Sequence, residues 1–147
     1  MQPSSPHLQS FCLCDRIEQS DDDRQINVVG LLSAHRFTGV TVEMPISTLT
    51  RAVFVQIYSE DRSATYALKI TGQAKRGQEC YGFEAPIGFV EDHYIPMVFQ
   101  RCDLHFQSPG TYWLNAYLDG KLAGRYPLTI EYEMRQDPIV PRPSLSL

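Results

Sequence analysis

Apolar and polar residues alternate with a period of two along most of this chain, and helical periodicity is almost absent. In residues 97–106, Val98, Cys102 and Leu104 alternate with charged or polar neighbours. A period of two is typical of a strand with one buried face. Turn residues separate similar runs at 8–17, 51–58, 65–71, 111–118 and 122–133. The pattern predicts an all-β chain of seven or eight strands.

Three other segments are less regular. Residues 25–37 are predicted to form one long strand interrupted at Gly30, because a glycine inside a strand often marks a bulge or a close backbone approach. Residues 38–50 contain Gly39 and Pro45 and are predicted to be a loop that crosses between two sheets. Residues 73–96 are predicted to be mostly loop, with one short strand near 80–84.

Two motifs in the last third indicate the type of fold. Gly110-Thr111-Tyr112 has the Gly-x-Tyr form that begins the penultimate strand of many immunoglobulin-like domains, where the tyrosine hydroxyl bonds back to the backbone. Asp119-Gly120 lies between two strands and favours a type I′ turn, so Gly120 is expected to tolerate substitution less well than Gly124. We predict an immunoglobulin-like antiparallel β-sandwich in residues 1–133 and an extended Pro-rich tail in residues 134–147.

Several segments resemble a family of small bacterial β-sandwich domains of uncharacterised function. The opening is similar at residues 11–15 (FCLCD), 28–32 (VVGLL) and 44–45 (MP). The ending is similar at Gly110-x-Tyr112, at 118–120 (LDG) and at Pro127-Leu128-x-Ile130. The likeness covers about residues 8–132, although residues 59–63 lack the family's glycine turn and residues 73–96 are longer than in the family. The resemblance implies the sandwich fold and a bacterial cytosolic origin. It identifies no catalytic residues, so it leaves the function open.

Composition and charge exclude several functions. The chain has 147 residues, which is the size of one domain, and 43% of them are hydrophobic, as in a globular protein. Its net charge is −4 and its 13 lysines and arginines are scattered, so we expect no nucleic-acid partner. The sequence lacks a signal peptide and an apolar run of about 18 residues, so we expect a cytoplasmic protein that does not bind membranes.

The four cysteines could suggest a zinc site. Cys12-x-Cys14 and Cys102-x-x-His105 supply the residue types that bind zinc. Cys102 and His105 would nevertheless point to opposite faces of a strand, and the paired turns of zinc motifs are missing. We interpret the cysteines as reduced, buried small hydrophobes, and we predict no bound metal and no cofactor.

Two acidic clusters are candidates for other chemistry. Glu91-Asp92-His93 combines acid and base residues but has no nucleophile motif beside it, and Asp21-Asp22-Asp23 lacks the spacing of a calcium loop. We expect both to be solvated loop tips and the protein not to be an enzyme. The alternative is that the 73–96 loop binds a small ligand or a metal, or catalyses a weak hydrolysis, with Glu91, Asp92 and His93.

The most plausible binding surface is aromatic. Trp113, Asn115 and Tyr117 share the strand face opposite Tyr112, and aromatic residues are enriched at protein interfaces. They would be satellite core if a loop covered that face. The tail adds apolar anchors that have no evident place in the core: Ile139, Val140, Leu145 and Leu147. We therefore predict a non-enzymatic protein-interaction or assembly module whose partner is another protein chain, either a second copy or an unknown protein.

Overall fold

A computed structural model of the chain describes residues 6–20, 25–61, 63–88 and 97–135, and only the backbone of residues 97–99. These described residues form nine strands: β1 (His7–Gln19), β2 (Ile26–Leu31), β3 (Ala34–Gly39), β4 (Ser47–Tyr58), β5 (Thr65–Ala74), β6 (Glu79–Gly88), β7 (Met97–Phe106), β8 (Gly110–Leu118) and β9 (Lys121–Met134). No helix long and apolar enough to span a membrane occurs in these parts of the chain.

The strands form two sheets that pack face to face as an immunoglobulin-like sandwich. One sheet has the order β2-β1-β4-β7 and the other has the order β3-β9-β8-β5-β6. The core lies between them and includes Leu13, Val53 and Leu104 from the first sheet. All pairs are antiparallel except β3 and β9, which run parallel. The predicted antiparallel sandwich is therefore corrected at that one edge, where β3 and the last strand run in the same direction.

The segment predicted as one long strand, 25–37, is two strands that lie in different sheets. The amide of Leu32 donates to the Leu13 carbonyl of the first sheet at 3.0 Å, and the next residue, Ser33, accepts from the Thr129 amide of the second sheet at 3.0 Å. The chain thus changes sheets within two residues, just after Gly30, whose φ is +73°. The predicted crossing loop is present but shorter, because only residues 40–46 lie between β3 and β4.

The prediction that residues 73–96 are mostly loop was wrong for residues 79–88, which form β6. The register of the β5–β6 pair shifts between Gly72 and Gln73, and the adjacent residues Cys80 and Tyr81 are both buried. This bulge removes the alternation that would have revealed the strand. Pro86 is tolerated because β6 lies at the edge of its sheet. With β6 and the divided second strand, the described strands number nine rather than seven or eight.

The tyrosine corner is confirmed. The Tyr112 hydroxyl donates to the Ser108 carbonyl at 2.9 Å, and the Tyr112 side chain is 1% exposed. Its ring meets that of Phe106 edge to face, with the centroids 4.9 Å apart. The same hydroxyl lies 3.0 Å from the side-chain oxygen of Gln78, in the turn between β5 and β6. The Tyr112 hydroxyl therefore contacts both the connection between β7 and β8 and the turn between β5 and β6.

The two-residue hairpin between β8 and β9 is also confirmed. Asp119 and Gly120 have φ of +50° and +81°, as a type I′ turn requires. The Asp119 carboxylate accepts from the Ala67 amide at 2.8 Å, and the Asp119 amide donates to the Ala67 carbonyl at 2.9 Å. The turn is thus held against β5 as well as closing its own hairpin.

We predict that Tyr112→Phe lowers the free energy of unfolding by about 1 kcal/mol or more, because a buried hydrogen bond is lost and the Ser108 carbonyl loses its partner. Chemical denaturation measures the change. Tyr117→Phe is the matched control, because it removes a hydroxyl from the outward face of the same strand. An equal effect of the two substitutions would mean that the corner does not contribute.

We predict that Gly124→Val destabilises the fold by about 2 kcal/mol or more, because a Cβ at Gly124 would overlap the Leu8 side chain and approach Phe11. Gly120→Asn should cost less than about 1 kcal/mol, since open space surrounds Gly120 and asparagine tolerates positive φ. The expectation from the turn motif compared valine at both positions, and it stays a prediction, because Gly120 has the positive φ that a β-branched residue rarely adopts. Thermal melts of the two variants decide it, and a lower midpoint for Gly120→Asn would contradict the packing argument.

Candidate functional site

The three predicted aromatic-face residues lie together on the outside of the five-stranded sheet. Trp113, Asn115 and Tyr117 follow β8, between β5 and β9, and each is half-buried. Tyr112, Leu114 and Ala116 point the other way into the core, with at most 1% of each exposed. Neither Trp113 nor Tyr117 packs against the core cluster. Within the part of the chain that the structure describes, they are therefore surface residues of this face.

Arg125 on β9 completes this surface. Its guanidinium carbon lies 4.1 Å from the centroid of the Trp113 ring, and its Nε donates to the Asn115 side-chain oxygen at 3.0 Å. The cation–π contact and the hydrogen bond both favour this orientation of the exposed arginine. Sequence reasoning missed Arg125, because a β-bulge between β8 and β9 determines which residue lies opposite Asn115. We call Trp113, Asn115, Tyr117 and Arg125 the outer-face cluster.

A shallow groove of about 350 Å³ lies beside the outer-face cluster, on the β5 and β6 side. Lys69 and Glu84 occupy opposite positions in the β5–β6 ladder and contribute one positive and one negative charge. Among the described residues that line it, there is no histidine or cysteine and Glu84 provides the one carboxylate. The lining residues are Ala67, Lys69, Thr71, Gln73, Glu84, Tyr117 and Gly120. The groove is large enough for a side chain, and it is lined by both polar and apolar surface.

The cysteines and histidine of the hypothetical zinc site do not come together. Cys102 is buried in the core cluster, whereas His105 is exposed and its Nδ1 lies 3.0 Å from the Thr48 hydroxyl. Cys12 and Cys14 lie opposite Phe54 and Ala52 of β4, where Cys14 is buried and Cys12 is half-buried. Within the described residues, no three His, Cys, Asp or Glu side chains converge in a way that could hold a metal ion.

The environment of the thiols makes them unreactive. Burial raises the pKa of Cys12 to about 11 and the pKa of Cys80 to about 12. Burial likewise raises the pKa of Cys102 to about 11, and the pKa of Cys14 is raised for the same reason. Because the thiolate is the nucleophile, thiols that stay protonated at neutral pH are poor nucleophiles.

The remaining sequence candidates fall in different places. Glu91, Asp92 and His93, the Asp21–23 cluster and the tail anchors Ile139, Val140, Leu145 and Leu147 lie outside the described residues. Asp15 is described, and its carboxylate lies on the surface 3.4 Å from the Arg16 guanidinium. Of the predicted site residues, the structure therefore brings together Trp113, Asn115 and Tyr117.

We predict that the free energy of unfolding falls as the pH rises from about 9 to about 11. The folded-state pKa values of Cys80 and Cys102 lie above those of unfolded thiols, so the stability that they contribute is complete below about pH 9 and is lost above it. Each thiol should contribute up to about 1 kcal/mol per pH unit. Chemical denaturation at three pH values measures the slope. Cys102→Ala should make it shallower, and an unchanged slope would contradict the burial argument.

Solved structures that resemble this chain do so at low similarity. A putative β-galactosidase from Bacteroides fragilis has 16% identity and a TM-score of 0.46 over 62% of this chain, which spans 17% of that one. An immunoglobulin-like protein from Pseudomonas aeruginosa has 10% identity and a TM-score of 0.43, over 88% of this chain and 98% of its own. The CARDB domain of a Pyrococcus furiosus protein, in complex with di-metal ions, has 10% identity and a TM-score of 0.37, over 84% and 94%.

The family of the chain follows from its sequence. No curated protein matches the chain. The model of a family of unknown function matches residues 9–131, which are most of the chain and nearly the whole sandwich. This match confirms the sequence-based resemblance to a domain family of uncharacterised function. The chain therefore belongs to DUF6941, a family of unknown function.

Proposed function

We propose that this domain is a non-enzymatic protein-interaction module and that another protein chain binds its outer-face cluster. The observation that carries the proposal is the contact between Arg125 and Trp113. A guanidinium lies 4.1 Å from the ring of a half-buried tryptophan, on a sheet face that takes no part in the core. The hydrophobic core is formed by the opposite face of this sheet, so the arrangement lies outside it.

The composition of the cluster supports protein binding. Tryptophan, tyrosine and arginine are the residues most enriched among those that dominate the energy of protein interfaces. Trp113 and Tyr117 are four residues apart on one strand, so they span about 13 Å of a flat sheet surface. Asn115 between them has its side-chain oxygen bonded to Arg125. The cluster therefore presents two aromatic anchors and a central polar contact.

The rigidity of the cluster also supports the proposal. An arginine normally loses considerable side-chain entropy when a partner immobilises it. Here the Trp113 ring and the Asn115 side chain both contact Arg125, so part of that entropy is lost before a partner binds. β8 itself is central in its sheet, paired with β5 and β9 along most of its length. A partner would consequently meet a surface that needs little rearrangement.

The groove next to Tyr117 adds a site for one partner side chain. Lys69 and Glu84 at its border supply charges of both signs, as in the polar rim that surrounds most interfaces. The tail anchors Ile139, Val140, Leu145 and Leu147 remain a second predicted contact. Substitutions in the cluster and deletion of the tail test the two contacts separately.

We predict that Trp113→Ala weakens binding of the physiological partner by tenfold or more, the scale of a hot-spot residue, while the thermal midpoint changes little. The partner is identified by affinity purification from the native host and is then titrated against purified protein. Trp113 is the sole tryptophan of the chain, so its emission in the wild type reports directly on this face. We expect a shift of that emission on binding.

His105→Ala is the matched control, because His105 is exposed on the outer face of the other sheet. Arg125→Ala should also weaken binding, since it removes both the charge and the support of Trp113. If Trp113→Ala and His105→Ala bind the same partner equally well, the outer-face cluster is not the binding surface. An emission spectrum that is unaffected by saturating partner would lead to the same conclusion.

A further inference from the structure

The free edges of the two sheets differ in how well they are protected against pairing with another chain. Among the described strands, β2 and β7 are the edges of one sheet, and β3 and β6 are the edges of the other. An edge strand exposes unpaired backbone N–H and C=O groups, and natural proteins usually block such edges with charges, prolines or bulges. The four edges can therefore be compared within one molecule.

Three of the edges carry such protection. β7 exposes Arg101, Asp103 and His105 in alternation. β6 contains Pro86, which cannot donate a backbone hydrogen bond, together with two glutamates. β3 carries Arg36, whose guanidinium lies 3.0 Å from the Glu131 carboxylate. A strand added at any of these edges would therefore meet a charged side chain or a residue without a backbone N–H donor.

β2 has neither a charge nor a proline. Its sequence is INVVGL, with three β-branched residues that favour strands. Leu31 at its end is 67% exposed, and Ile26, Val28 and Val29 are half-buried although they lie at an edge. Gly30 deviates from regular strand geometry with its positive φ, so residues 26–29 form the regular part that could pair. On its other side β2 pairs with β1 from Gln19↔Ile26 to Cys14↔Leu31.

We infer that β2 is a self-association edge, where the β2 strand of a second copy pairs antiparallel and joins two four-stranded sheets into one of eight strands. The absence of charge on β2 favours a second copy as the occupant. An isologous contact brings each residue close to its own counterpart, so any charge on the strand would face a like charge. β2 is uncharged throughout, and its pairing with itself meets no such repulsion.

The geometry of the pair follows from the sheet. The two-fold axis of an antiparallel ladder is perpendicular to the sheet, so the core-facing sides of the two copies lie on the same side of the joined sheet. With the axis near Asn27 or Val28, Asn27 and Val29 come close to Asn27 and Val29 of the second copy. The contact is small, so the affinity should be low and the dimer should form only at high protein concentration. This inference does not rest on the outer-face cluster, which lies on the other sheet.

The test is sedimentation equilibrium of the full chain from about 5 µM to about 500 µM, a range suited to a small interface. The wild type should dimerise with increasing concentration. Asn27→Lys with Val29→Lys should weaken dimerisation at least tenfold, because four positive charges meet at the ladder. Asn27→Glu with Val29→Glu should do the same. An equimolar mixture of the two double variants should form a heterodimer again, since opposite charges then face each other.

The matched control is Ala34→Lys with Thr38→Lys, at two exposed positions of the β3 edge, which should leave the dimer unchanged. Asn27 is exposed, so Asn27→Lys alone provides a variant whose fold is not at risk. Trp113→Ala should dimerise like the wild type, which separates this inference from the proposed function. A wild type that stays monomeric at 500 µM would overturn the inference, as expected if the edge binds another protein's peptide. Undiminished dimerisation of the lysine variant, or a mixture that fails to associate, would also overturn it.

Discussion

The hydrogen bond from the Tyr112 hydroxyl to the Ser108 carbonyl determines how the chain enters β8 and which face of the sheet each β8 side chain occupies. It fixes the crossover from β7 to β8, and Gln78 extends the same contact to the turn between β5 and β6. Tyr112 points inward against Phe106, and successive side chains of a strand point to opposite faces of the sheet. Trp113 must face outward, and so must Asn115 and Tyr117. The outward position of these three residues is thus a consequence of the corner that stabilises the core.

The sequence was sufficient for the parts of the fold whose signal is local. The Gly-x-Tyr corner and the Asp-Gly turn each depend on the chemistry of two or three adjacent residues, and both were predicted correctly. The alternation within β8 likewise identified which residues share the outward face. Such features need no knowledge of the partner strand, because the conformation of the residues and the period of the strand determine them.

The parts that were missed depend on partner strands. Leu118 pairs with Lys121 in the hairpin, yet Ala116 pairs with Gly124 rather than with Ala123, because of one extra residue in β9. That bulge turns Arg125 outward to Trp113 and Tyr126 inward to Phe11. A regular hairpin would have placed Arg125 on the core side. Two other features that were missed also depend on contacts with neighbouring strands. Residues 25–37 divide just after Gly30, where an added Cβ would approach Asp15 of β1. The strand at 79–88 pairs with β5 across the register shift after Gly72.

The two proposed surfaces use different physics and do not compete for space. The outer-face cluster would bind through side chains, whereas the β2 edge would bind through backbone groups on the side where no described strand pairs with it. They belong to different sheets, so a pair of domains joined at β2 would still expose the outer-face cluster of each copy. A partner with two matching sites would then bind more tightly than either contact alone allows, because the second contact forms at a high effective concentration. A weak self-association edge could in this way multiply the affinity of a single aromatic face.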